Sequence, residues 1–303
     1  MDDADIKLQK FTALKRGLAN IESTIRGYED ELVKRGVVSG AALSAVLGHY
    51  RQQYQADLLR RINDGNPQPR AVPDFASIAA NMRNSGLAYD TSAPAAPRDL
   101  NHTRYGFQSV VLNGIQMNVY NDPVGTNSRL IQQQGRSQYP MRGTCGLCQS
   151  ANILTMAGVP TTEDEIISAA LHSSNHVLTM MDLFHDDMDS RGGTTPNSRK
   201  ELLESQGIPI TNLPISTDKD FTVRRLAYAV ASGHGVILHV DAERLWRNGQ
   251  SGGHAITLLS VTSDGSTFIY SDTGAGEMGT ISASDLADAL TGVPANVTTN
   301  VIR

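Results

Sequence analysis

Cysteine is nearly absent: the 303 residues hold two. Two thiols do not make the disulfide framework of a small secreted domain, so a reducing working compartment is expected. Long apolar runs are lacking too. Nothing approaches the ~20 consecutive apolar residues of a transmembrane helix, and no membrane partner is expected. The start, MDDADIKLQK, has neither the basic segment nor the apolar stretch of a secretory signal. Clusters of lysine and arginine are missing, and the net charge is -5. Phosphate neutralisation needs clustered cations, so no nucleic-acid partner is expected. Zinc needs about four ligands. The single C-x-x-C offers two, no second one follows, and His172 and His176 read as the polar end of a helix. Neither a metal nor any other cofactor is expected.

What is present is an ordinary globular composition, 40% apolar and 19% charged. Between residues 5 and 34, Leu8, Phe11, Leu14, Leu18, Ile21, Ile25, Tyr28 and Leu32 recur at steps of three and four, one stripe of a long helix. Gly36 is the expected stop and Ser39 the expected cap of a second helix. Leu43, Leu47, Tyr50, Tyr54, Leu58 and Ile62 form the stripe of that helix. Together, residues 1–65 predict an antiparallel helical hairpin, serving for docking, delivery or as a pro-segment. Residues 66–104, with NDGNPQPRAVP and TSAPAAPRD, read as a linker around a short helix near 75–84. Residues 105–303 form the remaining domain. In it, FQSVVLNGIQMNVY is a hairpin turning on Asn-Gly. Helices are expected over 146–157, after the Thr162–Glu165 capping box, over 198–205 and over 220–232, ended by Gly158, Gly207 and Gly233 where a glycine follows. GVILHV, HAITLLSV and TFIYSD are strands, and SASDLADAL is a late capped helix. Helices first and strands after predict an α+β fold with two segregated lobes.

Both cysteines lie in GTCGLCQS, residues 143–150. The stretch opens a predicted helix, whose free N–H groups and dipole favour a thiolate, with Thr144 placed to cap. A redox dithiol would occupy the same place for the same reason, and two cysteines can also be small packed residues. Downstream, GGHAITLLSV puts His254 at a strand start and FIYSD ends the next strand with Asp272. Two paired antiparallel strands bring these positions side by side. His254 could then take the thiol proton while Asp272 holds the other ring nitrogen. A thioredoxin-like protein needs an apolar strand before its C-x-x-C, and QGRSQYPMRG is not one. His239, on GVILHV, reads either as a core histidine or as a substrate contact.

C-G followed by N-I-L at 152–154, then the late GGHAITLLSV and SDTG, resembles the papain-like cysteine peptidase superfamily. The likeness is nearest to the papain-fold toxin and effector domains of bacteria and to the peptidase domains of bacteriocin-processing transporters. It covers about residues 130–290. It implies a helical lobe carrying the nucleophile, a sheet lobe carrying His254 and Asp272, and a glutamine ahead of the cysteine that donates to the oxyanion. Gln138 is the expected donor, with Gln134 as second choice. Cys145 is the expected nucleophile because Gly146 follows it and Ile153 and Leu154 come eight and nine residues later; Gln149 after Cys148 fits less well. The resemblance implies a bacterial toxin or effector protease acting on a protein substrate in a target cell. It would be made in the cytoplasm, exported by a specialised system and neutralised by an immunity protein, with a secretion adaptor on the N-terminal helices. The same triad serves a glutamine deamidase or transglutaminase. A non-catalytic binding module would use the fold without it.

Overall fold

The computed structural model describes residues 2–34, 41–65, 106–112, 115–121, 130, 132–173, 177–249, 251–262 and 264–302. The expected linker at 66–104 with its short helix, Gly36, Ser39, the Asn113–Gly114 turn and His176 lie outside the described residues. The chain divides into two units, Met1–Asp99 with Gln138–Pro140, and Leu100–Ser137 with Met141–Arg303.

In the first unit, α1 (Asp3–Lys34) and α2 (Ala41–Asn63) pack together. Gly17 of α1 lies against Leu58, and Glu22 pairs with Arg51 at 2.7 Å. Partner numbers fall along α2 as they rise along α1, so the helices run antiparallel. Leu14, Leu18, Ile21 and Ile25 face Leu47, Tyr50, Leu58 and Ile62 as buried stripes. Leu8, expected on the same stripe, is exposed.

The second unit is α+β. A two-stranded ribbon, β1 (Gly106–Leu112) and β2 (Ile115–Asn121), pairs antiparallel, with Leu112 opposite Ile115. Helices follow: α3 (Cys145–Met156), α4 (Glu163–His172), α5 (Met180–Leu183) and α6 (Pro196–Ser205). After β3 (Ile210–Leu213) and α7 (Lys219–Ala231) come β4 (Val236–Asp241), α8 (Ala242–Trp246), β5 (Gly253–Val261), β6 (Thr267–Asp272), β7 (Glu277–Ser282), α9 (Ala283–Ala289) and β8 (Ala295–Thr298). The six strands β3–β8 form one antiparallel sheet in the order β3-β8-β4-β5-β6-β7. The Thr162–Glu165 capping box is present, and Gly158, Gly207 and Gly233 all take positive φ at helix ends. α6 begins two residues before the expected start because Thr195 caps it and Pro196 takes its first position.

α3 departs from the expected one-sided pattern. Every residue from Gly146 to Met156 is buried. A helix enclosed on all sides must satisfy its polar groups internally. Gln149 Nε2 donates to the carbonyls of Ala255 (3.2 Å) and Ser271 (3.0 Å), and Asn152 Nδ2 to Ser271 Oγ (3.0 Å). These bonds fasten α3 to β5 and β6. Leu226 and Val230 of α7 share a core with Ile256 and Leu258 of β5. With α3 and α7 both packed on it, β5 is buried along nearly its whole length, its polar His254, Thr257 and Ser260 included.

Candidate active site

Cys145 is the first residue of α3 and is half-buried. Its backbone N–H is among those at the helix start that lack an intrahelical acceptor, and the helix dipole points its positive end here. Thr144 stands at the cap position, but its hydroxyl makes no cap bond. It donates instead to the buried carboxylate of Glu163, which corrects the capping role expected for it. Cys148, one turn on, is fully buried and faces Thr144. Burial, with the Glu163 charge adding, raises its thiol well above its ordinary value.

His254 stands at the start of β5. Asp272, the last residue of β6, pairs with Ile256, two residues beyond His254. The two side chains are therefore diagonal neighbours on one face of the sheet, within reach of each other. His254 Nε2 lies 2.8 Å from Asp272 Oδ1, with both residues buried. The Asp272 carboxylate also accepts from Trp246 Nε1 at 2.5 Å and from the backbone N–H groups of Gly274 (2.9 Å) and Ala275 (3.3 Å). The Trp246 ring leans over the imidazole, centroids 4.7 Å apart. Gly274 gives Trp246 room, since a Cβ there would lie 2.8 Å from Cζ2.

The Cys145 thiol and the His254 imidazole line the same cavity, and the charge of each acts on the other. Burial works against both charges, yet partners prevail. Burial alone would raise the thiol, but His254, the backbone of Ala255 and Arg199 bring it below its ordinary value. Burial alone would lower the imidazole, but Asp272 and Cys145 push it up to about 9. Asp272 is held below its ordinary value, burial being outweighed by His254, Trp246 and Ala275. A thiol pulled down beside an imidazole pushed up is the electrostatic arrangement of a thiolate–imidazolium pair.

These groups open on a cavity of about 950 Å³, lined also by Gln134, Arg199, His239 and Trp246. The glutamine in the lining is Gln134; Gln138 falls in the first unit. Gln134 is fixed by Thr273, whose hydroxyl donates to Oε1 at 3.1 Å, and by its own Nε2 bond to the Arg142 carbonyl at 3.1 Å. His239 lines the cavity as well, bonded to Thr291 Oγ1 at 2.9 Å, and burial together with Arg199 and His254 lowers its pKa. The glycine before His254 has a packing reason, because a Cβ on Gly253 would lie 2.3 Å from the His239 ring. Trp246 and Arg199 went unmarked in the sequence. Trp246 is the chain's one tryptophan, which is a faint signal; Arg199 carries none. No group of three or more metal-ligating side chains occurs among the described residues.

No protein-family model and no curated protein matches the chain. Among solved structures it is similar to a candidate C39-like peptidase of Bacillus anthracis, at 13% identity and a TM-score of 0.41, over 57% of this chain and 96% of that one. It is also similar to the avirulence protein AvrPphB of Pseudomonas, at 16% identity and a TM-score of 0.26, over 52% and 89%. Likenesses this distant carry no weight for the reaction.

Proposed function

We propose that the protein is a papain-like cysteine protease in which Cys145, His254 and Asp272 act as a triad. The observation that carries this reading is that Cys145 and His254 line one cavity, with Asp272 bonded to His254 and with thiol and imidazole shifted toward the ion pair. In the proposed cycle the Cys145 thiolate attacks the scissile carbonyl and forms a C–S bond. The oxyanion is met by the Cys145 N–H and by the Gln134 amide, which takes the role that spacing had suggested for Gln138. Such a donor typically contributes about 3 kcal/mol in the transition state. As the C–N bond breaks, His254 gives its proton to the leaving amine. It then takes a proton from water, whose oxygen attacks the thioester; the C–S bond breaks, releasing the acid and restoring the thiolate beside the protonated His254. Asp272 orients the ring throughout, and the Trp246 N–H orients Asp272. The redox reading loses ground because residues 132–144, which lead into Cys145, contain no strand.

The sequence resemblance to toxin and effector domains is what supports a protein of a target cell as the substrate. The test is mass spectrometry of target-cell proteins exposed to wild type, Cys145→Ala and His254→Ala. New protein termini with wild type alone are expected. Deamidated or cross-linked glutamines without new termini would replace protease by deamidase or transglutaminase, and identical products from all three proteins would sink the catalytic reading.

A further inference from the structure

Arg199 projects from α6 into the wall of the same cavity and is 1% exposed. Its Nε donates to Asn296 Oδ1 at 2.7 Å, and its Nη1 to Thr194 O (3.2 Å) and Oγ1 (3.3 Å). Nη2 is buried without a partner, and no carboxylate pairs with the guanidinium among the described residues. Burying a cation typically costs several kcal/mol unless an anion answers it. The answering group is at the head of α3. Gly146 has no side chain, and a Cβ there would lie 3.2 Å from Arg199 Nη1, so the guanidinium sits directly against the residue that follows Cys145.

We propose that Arg199 is a positioning residue that holds Cys145 as a thiolate, a second cation beside His254 and one that never gives up its proton during the reaction. Neutral polar partners, the buried Asn296 and the half-buried Thr194, fix the guanidinium in place without cancelling its charge, leaving its field for the sulfur. Burial lowers the guanidinium to about 10, still protonated at neutral pH, and Cys145 is the charge partner that raises it. The other titratable groups around the sulfur are His254 on β5, His239 on β4, Cys148 on α3, and Asp187 and Asp189 in the cavity wall. His239 is held neutral by burial and by Arg199 itself, and Cys148 stays a thiol, so neither duplicates the cation. The inference rests on Cys145 as the nucleophile, but its test needs no turnover.

The experiment is the pH dependence of Cys145 alkylation by iodoacetamide in the full-length protein, followed on the Cys145 peptide by mass spectrometry. Arg199→Met is expected to move the inflection upward by about one unit, slowing alkylation about tenfold on the acid side. Arg199→Lys, which keeps the charge, is expected to stay near wild type. An unmoved inflection in Arg199→Met, or equal shifts in both variants, overturns the proposal. Should Arg199→Met fail to fold, Arg199→Gln decides, since it keeps hydrogen-bonding groups but drops the charge: an inflection displaced upward relative to wild type and Arg199→Lys is expected, and an unmoved one overturns the proposal. A wild-type Cys145 inert at every pH would sink the protease reading itself, which a reactive thiol indifferent to Arg199 would not.

Discussion

At the scale of single residues the site is built from close approaches that glycine permits. Gly146 is the tightest: a Cβ there would lie 2.0 Å from Thr194 Oγ1 as well as beside Arg199. Gly146→Ala is therefore expected to force Thr194 and Arg199 off their present bonds, at a cost of about 1–3 kcal/mol for overpacking. Cys145 alkylation should slow along with the fall in melting temperature. Thr194→Ala removes the atom that the new methyl would strike, so the double variant should regain part of the stability lost in the single one. Strictly additive losses in that cycle would show that the contact is not what Gly146 avoids. The sequence displayed this glycine as part of a C-G pair and gave no hint of its neighbours, because Thr194, just ahead of α6, and Arg199, within it, lie about fifty residues away. His254 and Asp272 were legible for the opposite reason. Strand period and a short turn are local facts, and they bring two strand ends together whatever the rest of the chain does. Spacing pointed to Gln138 ahead of Gln134, and a loop has no period to show which side chain lines the cavity.

At the scale of elements, Glu163 joins the loop before Cys145 to the helix after α3. It is the first residue of α4, where the helix dipole favours a carboxylate. One oxygen accepts from Gly135 N at 2.7 Å and from the Thr144 hydroxyl; the other accepts from Arg136 N at 3.0 Å and Ser137 N at 2.9 Å. Four donors converge on one buried anion, and three of them belong to the loop that follows Gln134. Glu163→Gln keeps the shape but turns an NH₂ group toward N–H donors. Unmatched buried donors and the lost charge are expected to cost about 2–4 kcal/mol. Hydrogen exchange should quicken at Gly135, Arg136 and Ser137 before it does in the sheet. Exchange that rises evenly through the unit, or not at all, would show that Glu163 does not anchor the loop. The sequence offered Glu163 only as a residue inside the Thr162–Glu165 cap. That cap is real, but it said nothing of the distant amides, which are long-range partners and leave no periodic trace. The full burial of α3 was hidden likewise, because Gln149, Ser150 and Asn152 read as a solvent face until the partners of Gln149 and Asn152 on β5 and β6, and of Ser150 within α3, are known.

For the whole molecule, the ion pair has a consequence for stability that the separate residues do not reveal. Taken alone, His254 has a folded pKa raised from 6.5 to about 9. Its stabilisation is complete below 6.5 and lost as pH rises through about 9. Cys145 has the opposite sign: its folded pKa is depressed below 9.0, so its stabilisation is complete above 9.0 and lost as pH falls through the folded value. Between 6.5 and about 9, once the folded thiol has ionised, the unfolded chain holds one proton on the thiol, and the folded pair holds one on the imidazole. The two states then bind equal numbers of protons, and the pair contributes no slope. Cys145→Ala breaks this balance. The Asp272 bond still raises His254, now with nothing to compensate it, so the variant should lose stability progressively across that window while wild type gains on it. Other titrating groups are common to both proteins and cancel in the difference. Denaturant unfolding of wild type and Cys145→Ala at a series of pH values checks this. A difference that grows with pH supports an imidazole raised by Asp272. A difference that stays constant would mean that Asp272 does not raise His254 in the folded protein.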